Sequence, residues 1–340
     1  MRDNPPMHTL IAYASAPGPH CQEAVARLKL PQLTQLLQHL SHGQRWHAQA
    51  DALTPVHELV LAHAAGLHVA DGGADGLIPW AAQEAHARGL SALHGSDGWA
   101  WITPCHWKVN ADHVEMADPM HLALTPHDAQ ALLQAMQPYF AEDGITLFAP
   151  AHTSAPGQPS TRWLAYGAVF DKLPTASLDR VAGRVVDPWM PRSAQAKPLR
   201  RLQNEMQMLL YTHPVNDQRA HFKLPAVNAF WASGTGSLAP SAPASAPPSS
   251  AIAHEHCSVR DALRPPALQD DAGAWVTAWH ALDASTLAHD LQRLQQGESV
   301  QITLCSETQA VALQATPLSH WQRLRRRVLP PQANELLKSL

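Results

Sequence analysis

The chain has 340 residues, 45% of them hydrophobic and 15% charged, with a formal net charge of -4 when its 22 histidines are counted neutral. This composition excludes disorder over most of the length, no run approaches the roughly eighteen consecutive apolar residues of a membrane-spanning helix, and the small net charge gives no bulk attraction to nucleic acid. The expectation is a soluble, cytoplasmic globular chain with apolar material for one large core or two modest ones.

From the N-terminus, His8 to Ala16 (HTLIAYASA) is apolar and ends in Ala14-Ser15-Ala16, the spacing of a leader cleavage site. Arg2 and Asp3 cancel and the apolar run is short, so the stretch reads as a buried first strand, Thr9 to Tyr13, before a Pro17-Gly18-Pro19 loop. Leu33 to Leu40 and Pro55 to Leu67 have helical apolar spacing, the second with Thr54 as cap, Pro55 as first position and Gly66 as stop. Gly98 to Val109 alternates in the manner of a strand, with Pro104 marking an edge or bulge. Thr125 to Phe140 is the clearest helix, opened by a capping threonine and Pro126, with Leu132, Leu133 and Met136 on one face. Short strands are expected at Ile145 to Ala149 and Trp163 to Val169, and a helix with an unfavourably basic first turn at Leu199 to Tyr211. Leu282 to Gln296 reads as a helix stopped by Gly297, and Val300 to Leu304 as a strand paired with Ala310 to Leu313.

Helices interleaved with strands predict an α/β fold with a central, mostly parallel sheet and helices on both faces. Residues 237–251 are Ser, Ala and Pro apart from Leu238, which reads as a disordered linker or insertion. It would divide a main α/β domain, 1–236, from a segment, 252–340, that completes the same fold and ends in a weakly ordered tail. Charge is uneven: 6 basic and 14 acidic residues in 1–150, 10 and 5 in 151–236, 8 and 9 in 237–340, so the middle carries +5 between -8 and -1. The four cysteines, at 21, 105, 257 and 305, have neither CxxC spacing nor the density of a secreted disulfide scaffold, which fits a reducing compartment.

Most local motifs have ordinary explanations. His57-Glu58 is followed by His63, not by a histidine four residues after the first as in the zinc proteases. His254, His256 and Cys257 are near enough to chelate but follow the linker, and Asp71 to Gly76 lacks the further oxygen ligands of a calcium loop. Gly95-Ser-Asp-Gly98 lacks the nucleophile-elbow spacing. The densest unusual segment is His213 to Gly236, which gathers Asn216, Arg219, His221, Lys223, Asn228 and Trp231 ahead of Gly234 and Gly236. Arginine forks an oxyanion, lysine adds a point charge and glycines expose backbone N–H groups, so this set predicts an anion site. The competing reading is a surface loop followed by a buried strand, Ala226 to Trp231.

Those residues also carry a resemblance. His106-Trp107, Asp112-His113-Val114, Ala117-Asp-Pro-Met-His-Leu122, Tyr139-Phe140 with Asp143-Gly144, His213-Pro-Val-Asn216, and Leu224-Pro through Asn228 to Gly234-Thr-Gly236 together resemble the RpfE-type regulatory family of Gram-negative bacteria. The likeness runs from the first strand to about Leu313. That family is similar to the cofactor-independent phosphoglycerate mutases, so the resemblance implies a phosphatase-superfamily α/β fold. The active enzymes of that superfamily use two divalent metals, a serine nucleophile and an aspartate near the first strand. Here Thr9 to Ala16 contains no aspartate.

The expected function is therefore a regulatory protein, catalytically degenerate and needing no cofactor, that binds an anionic small molecule or a protein partner through Asn216, Arg219, His221, Lys223, Asn228, Gly234 and Gly236. The alternative is a divalent-metal-dependent phosphotransferase whose ligands would be Asp112, His113, Asp118 and His121. A third reading, a protein-interaction module anchored by tryptophans, draws on 11 Trp in the chain.

Overall fold

A computed structural model describes residues 7–67, 75–92, 97–150, 162–238, 257–315 and 331–340. Its strands are β1 (Met7–Ile11), β2 (Leu40–His47), β3 (Trp99–Cys105), β4 (Trp107–Val109), β5 (Val114–Met116), β6 (Thr146–Phe148), β7 (Trp163–Tyr166), β8 (Ala229–Gly236), β9 (Cys257–Arg260), β10 (Val300–Cys305) and β11 (Gln309–Ala315). The chain divides into two compact units, one from 1–51, 55–66 and 248–340, the other from 52–54 and 67–247. The division thus falls inside the stretch 1–236 that reads as one domain. The central composition shift, residues 239–251 of the expected linker, lies outside the described residues, as do His254, His256 and most of the Asp71 and Gly95 loops.

The first unit is built on a five-stranded sheet in the order β2-β11-β10-β1-β9. β1 runs parallel to both neighbours, with Met7 opposite Val300 and His8 opposite Cys257. Strands buried on both faces read as apolar runs, and Leu10, Ile11, Ile302 and Leu304 are fully buried. β10 turns through Ser306–Thr308 into antiparallel β11, which pairs with β2. β2 is an edge strand whose sequence, LSHGQRWH, is polar and half exposed, a pattern that discourages edge-to-edge association.

Helix Pro31–His39 packs Leu33, Leu36 and Leu37 into this core. Each such leucine contributes about 1.5–3 kcal/mol by burial. The residue preceding the helix, Leu30, has no side chain able to cap it. The cap comes from Asp283, whose carboxylate accepts from Gln32 N at 3.1 Å and Leu33 N at 2.9 Å. Asp283 opens a π-helical turn, Asp283–Leu287, between helices Ala272–Leu282 and Ala288–Gln295. The expected helix over Leu282 to Gln296 is thus the end of a longer helical run with an i→i+5 turn inside it.

The expectation of a folded region ending before a weak tail needs correction. Helix Ala333–Lys338 buries Ala333, Leu336 and Leu337 in the same core. The apolar triplet at helical spacing is its signal. Cys257–Arg260, just after the low-complexity stretch, is also a strand of this sheet.

The second unit holds a four-stranded sheet in the order β6-β7-β3-β8 and the hairpin β4–β5. Every pairing between these strands is antiparallel. The expected mostly parallel sheet is therefore replaced by a mixed sheet in one unit and an antiparallel one in the other. Alternating helices and strands had suggested βαβ crossovers, but short links such as Ser306–Thr308 only permit an antiparallel return. Pro104 sits inside β3 opposite Phe230, beyond the part of β3 that pairs with β7, so its missing N–H interrupts no β7 ladder.

Helix Pro126–Glu142 packs Leu132, Met136 and Phe140 into this unit's core, and Thr125 caps it by accepting from Asp128 N at 3.1 Å. Gln137 on this helix fixes β6, donating to Ile145 O and accepting from Leu147 N at 2.8 Å. Trp163, Trp231, Trp275 and Trp279 are fully buried, and no described tryptophan is among the exposed large apolar side chains. Trp46, Trp101, Trp107 and Trp189 are half-buried, and Trp321 lies outside the described residues.

Candidate functional site

The segment His213 to Gly236 lies entirely within the described residues; Asn216, Arg219, Ser233 and Thr235 are buried, whereas Asp217, Gln218, His221 and Lys223 are exposed. Helix Pro214–His221 starts at His213, whose Nδ1 accepts from Val215 N at 3.2 Å. Asn216, buried on that helix, donates through Nδ2 to Leu210 O at 2.7 Å and Val227 O at 2.8 Å, and accepts from Val227 N at 2.8 Å. Arg219, 2% exposed, donates through Nε to Pro225 O at 2.8 Å and through its Nη atoms to Leu122 O and Ala123 O. Burial lowers its pKa. Asn228 accepts from Trp107 N at 2.7 Å and donates to Trp107 O at 2.9 Å, the same two-bond pairing a neighbouring strand would make.

Three of the expected anion donors are thus spent on backbone groups, which would otherwise be orphaned inside the unit. His221 and Lys223 remain exposed, on either side of Phe222, which is 71% exposed. Lys223 has a left-handed backbone, φ +56°. At Gly234 and Gly236 the packing itself calls for glycine. A Cβ on Gly234, at φ +62°, would lie 2.8 Å from Trp101 Cε3, and one on Gly236, at φ +138°, 3.1 Å from Pro79 Cβ. Between them the Thr235 hydroxyl donates to Leu173 O and lies 2.9 Å from Thr175 Oγ1.

The alternative metal set does not converge. Asp112 and His113 lie in the β4–β5 turn, where His113 Nδ1 is 2.6 Å from Asp112 Oδ1 and Nε2 is 3.0 Å from Glu115 Oε1. The two carboxylates, Glu115 foremost, raise the pKa of His113. Both imidazole nitrogens are engaged with side chains. Asp118 instead caps its own turn, accepting from Met120 N at 3.0 Å, and His121 is exposed. Asp112, His113, Asp118 and His121 are not among the groupings of described residues that bring ligand atoms together. A divalent ion does not fit them as they stand.

The carboxyl end of β1 is where the resemblance places a metal-binding aspartate. Here Ile11, Ala12, Tyr13 and Ala14 are buried, and Tyr13 has φ +57°. Two buried indoles close over this turn: Trp275 Nε1 donates to Tyr13 O at 3.3 Å and Trp279 Nε1 to Ala14 O at 3.2 Å. The tyrosine ring stands 6.0 Å from that of His57.

Sequence reasoning missed one charged cluster in the second unit. Glu84 and Arg88 lie one turn apart at the end of helix Trp80–Ala87, with Arg88 at its C-cap. Glu84 Oε2 accepts from Trp101 Nε1 at 2.8 Å and from Arg162 Nη2 at 3.0 Å, while Arg88 Nη1 is 3.5 Å from Glu84 Oε1. The Arg162 guanidinium lies over the Trp101 ring, 3.6 Å from its centroid. The i,i+4 spacing of Glu84 and Arg88 was visible, but Arg162 is 78 residues away from Glu84 and nothing local announces it.

No protein-family model matches the chain, and no curated protein does. Among solved structures it is similar to the cofactor-independent phosphoglycerate mutase from Thermoplasma acidophilum DSM 1728, with 12% identity, a TM-score of 0.36, and coverage of 90% of this chain and 89% of that one. It is also similar to the PH0037 protein from Pyrococcus horikoshii, with 12% identity, a TM-score of 0.40, and coverage of 94% and 92%. Among the described residues no helix is long and apolar enough to cross a membrane.

Proposed function

We propose that this chain is a regulatory binding protein of phosphoglycerate mutase-like type, without the catalytic machinery of that group, whose ligand is an anionic, phosphorylated small molecule. The observation that supports this most directly is the end of β1. Metal-assisted phosphoryl transfer needs ligands that hold the ion beside the transferring group. At this strand end the side chains are buried Ala12, Tyr13 and Ala14, and the carbonyls of Tyr13 and Ala14 already accept from Trp275 and Trp279. Residues 11–16 contribute no carboxylate of their own to receive a cation.

The test is metal analysis of the purified protein, a thermal-shift screen against manganese, zinc and phosphorylated three-carbon acids, and a phosphate-release assay. The expected outcome is stabilisation by a phosphorylated acid without added metal, and no release of phosphate. Stoichiometric metal with turnover would replace this reading by the phosphotransferase.

A second reading, a protein partner, draws on a different observation. Phe222 (71% exposed), Met120 (47%) and Leu224 (37%) are apolar and outward. Arg219 ties the loop that carries Phe222 and Leu224 to the turn at Leu122 and Ala123. Co-purification of a partner from the parent cell that is lost in Phe222→Ser would favour it.

A further inference from the structure

We infer that Arg88 and Arg162 form a binding site for a small oxyanion, a phosphate ester or carboxylate, gated by Glu84. The inference rests on the binding reading above and names the place where it occurs. One carboxylate, Glu84, serves both guanidinium groups: it bonds Arg162 at 3.0 Å but stands 3.5 Å from Arg88. Arg88 Nη2 donates to Ala149 O at 2.9 Å, whereas its Nη1 is buried and has no hydrogen-bond acceptor among the described residues. That atom's partner is Glu84 Oε1 at 3.5 Å, an ion pair without a hydrogen bond, and an oxyanion would supply the hydrogen bond it lacks.

Arg162 is already oriented for the same task. Stacking on Trp101 holds its planar fork in one attitude, so little freedom remains to be lost when an anion is bound. Trp101 passes so close to Gly234 that a Cβ there would lie 2.8 Å from its Cε3, and its Nε1 donates to Glu84. The side chains of Glu84, Arg88 and Arg162 are 25%, 23% and 17% exposed, so the cluster reaches the surface while being largely shielded from water. Where an anion enters, Glu84 turns outward and its place beside Arg88 is taken. The glutamate thus competes with the ligand.

The experiment is calorimetric titration of the full chain with inorganic phosphate, with sodium acetate, and with a phosphorylated three-carbon acid, at constant ionic strength with chloride as counterion. Wild type is expected to bind phosphate or acetate, and the comparison of the two identifies the group preferred. Arg88→Gln and Arg162→Gln are each expected to weaken binding by about tenfold or more. Glu84→Gln, which keeps an acceptor for Trp101 but removes the competing charge, is expected to bind more tightly than wild type. That gain cannot arise from misfolding. Binding of the phosphorylated acid that is equal in wild type, Arg88→Gln and Glu84→Gln would overturn this site while leaving the binding reading intact. Failure of wild type to bind any of the three would overturn both.

Discussion

The carboxylate of Asp283 accepts a hydrogen bond from the backbone N–H of Leu33 at 2.9 Å, across 250 residues of sequence. Through it the π-helical turn late in the chain closes the open end of a helix near its beginning, a position that Leu30 cannot cap. Removing the acceptor leaves two helix N–H groups unsatisfied in a buried place. Asp283→Ala is expected to lower unfolding stability by about 2 kcal/mol and Asp283→Asn by about 1 kcal/mol, measured by urea denaturation. Burial raises the carboxyl pKa of Asp283 above its ordinary value of 3.8. Its titration therefore contributes stability that is fully present below that value and is lost as pH rises through the raised folded value. The advantage of wild type over Asp283→Asn should narrow accordingly as pH increases.

Asp270 behaves in the opposite sense. Hydrogen bonds from Cys21 N foremost, and from the side chain and backbone of His20, hold its carboxyl at about 2 against an ordinary 3.8. Its contribution is complete above 3.8 and disappears as pH falls towards 2. Thermal melts between pH 2 and 5 should show a steeper acid-side loss for wild type than for Asp270→Asn. Equal slopes would remove Asp270 as the cause.

Arg219 is expected to matter for stability far more than Lys223. Arg219 bonds the carbonyls of Pro225, Leu122 and Ala123 from a buried position, whereas Lys223 is exposed. Arg219→Ala should cost about 3 kcal/mol, and Lys223→Ala should stay within about 0.5 kcal/mol. Denaturant midpoints for the two variants would show the contrast, and equal midpoints would contradict the clamp.

Gly234→Ala combines an unfavourable φ of +62° with a new Cβ 2.8 Å from Trp101 Cε3. A loss of about 2 kcal/mol or more is expected. Scanning calorimetry reads it directly, and an unchanged melting temperature would mean that Trp101 can move aside at no cost.

His113 should titrate above its ordinary value of 6.5, because Glu115 and Asp112 flank its ring. The protonated pair steadies the β4–β5 turn below 6.5, and that contribution is lost as pH rises through the raised value. Following the imidazole resonances by NMR in wild type, Glu115→Gln and Asp112→Asn should show the midpoint falling in each variant, most in Glu115→Gln.

Much of the local structure was legible in the residues. Thr125 followed by Pro126 and Asp128 announced the helix Pro126–Glu142, and the apolar runs at Val300 and Ala310 announced β10 and β11, because both signals are contained within a few neighbouring positions. Asp283 over Leu33 was not legible, since a cap contributed from 250 residues away leaves no mark beside the helix it serves. The same limit explains the anion donors. Asn216, Arg219 and Asn228 are the residue types that hold oxyanions, but they are equally the types that satisfy buried carbonyls and N–H groups, and only the path of the backbone decides between the two uses. Arg162 illustrates the converse. It is unremarked in its own surroundings and gains its chemical meaning from Trp101 and Glu84.

The position of β1 between β9 and β10 has a consequence for biosynthesis. β1 pairs with strands far downstream in sequence, with Ile11 opposite Arg260 on one side and Leu304 on the other. While the ribosome completes the intervening chain, at about 5–20 residues per second, β1 has neither parallel partner. The second unit, contiguous apart from residues 52–54, can close during that interval. From its own synthesis, the apolar strand β1 waits about 15–60 s, exposed to misassociation, until β9 and β10 emerge to enclose it.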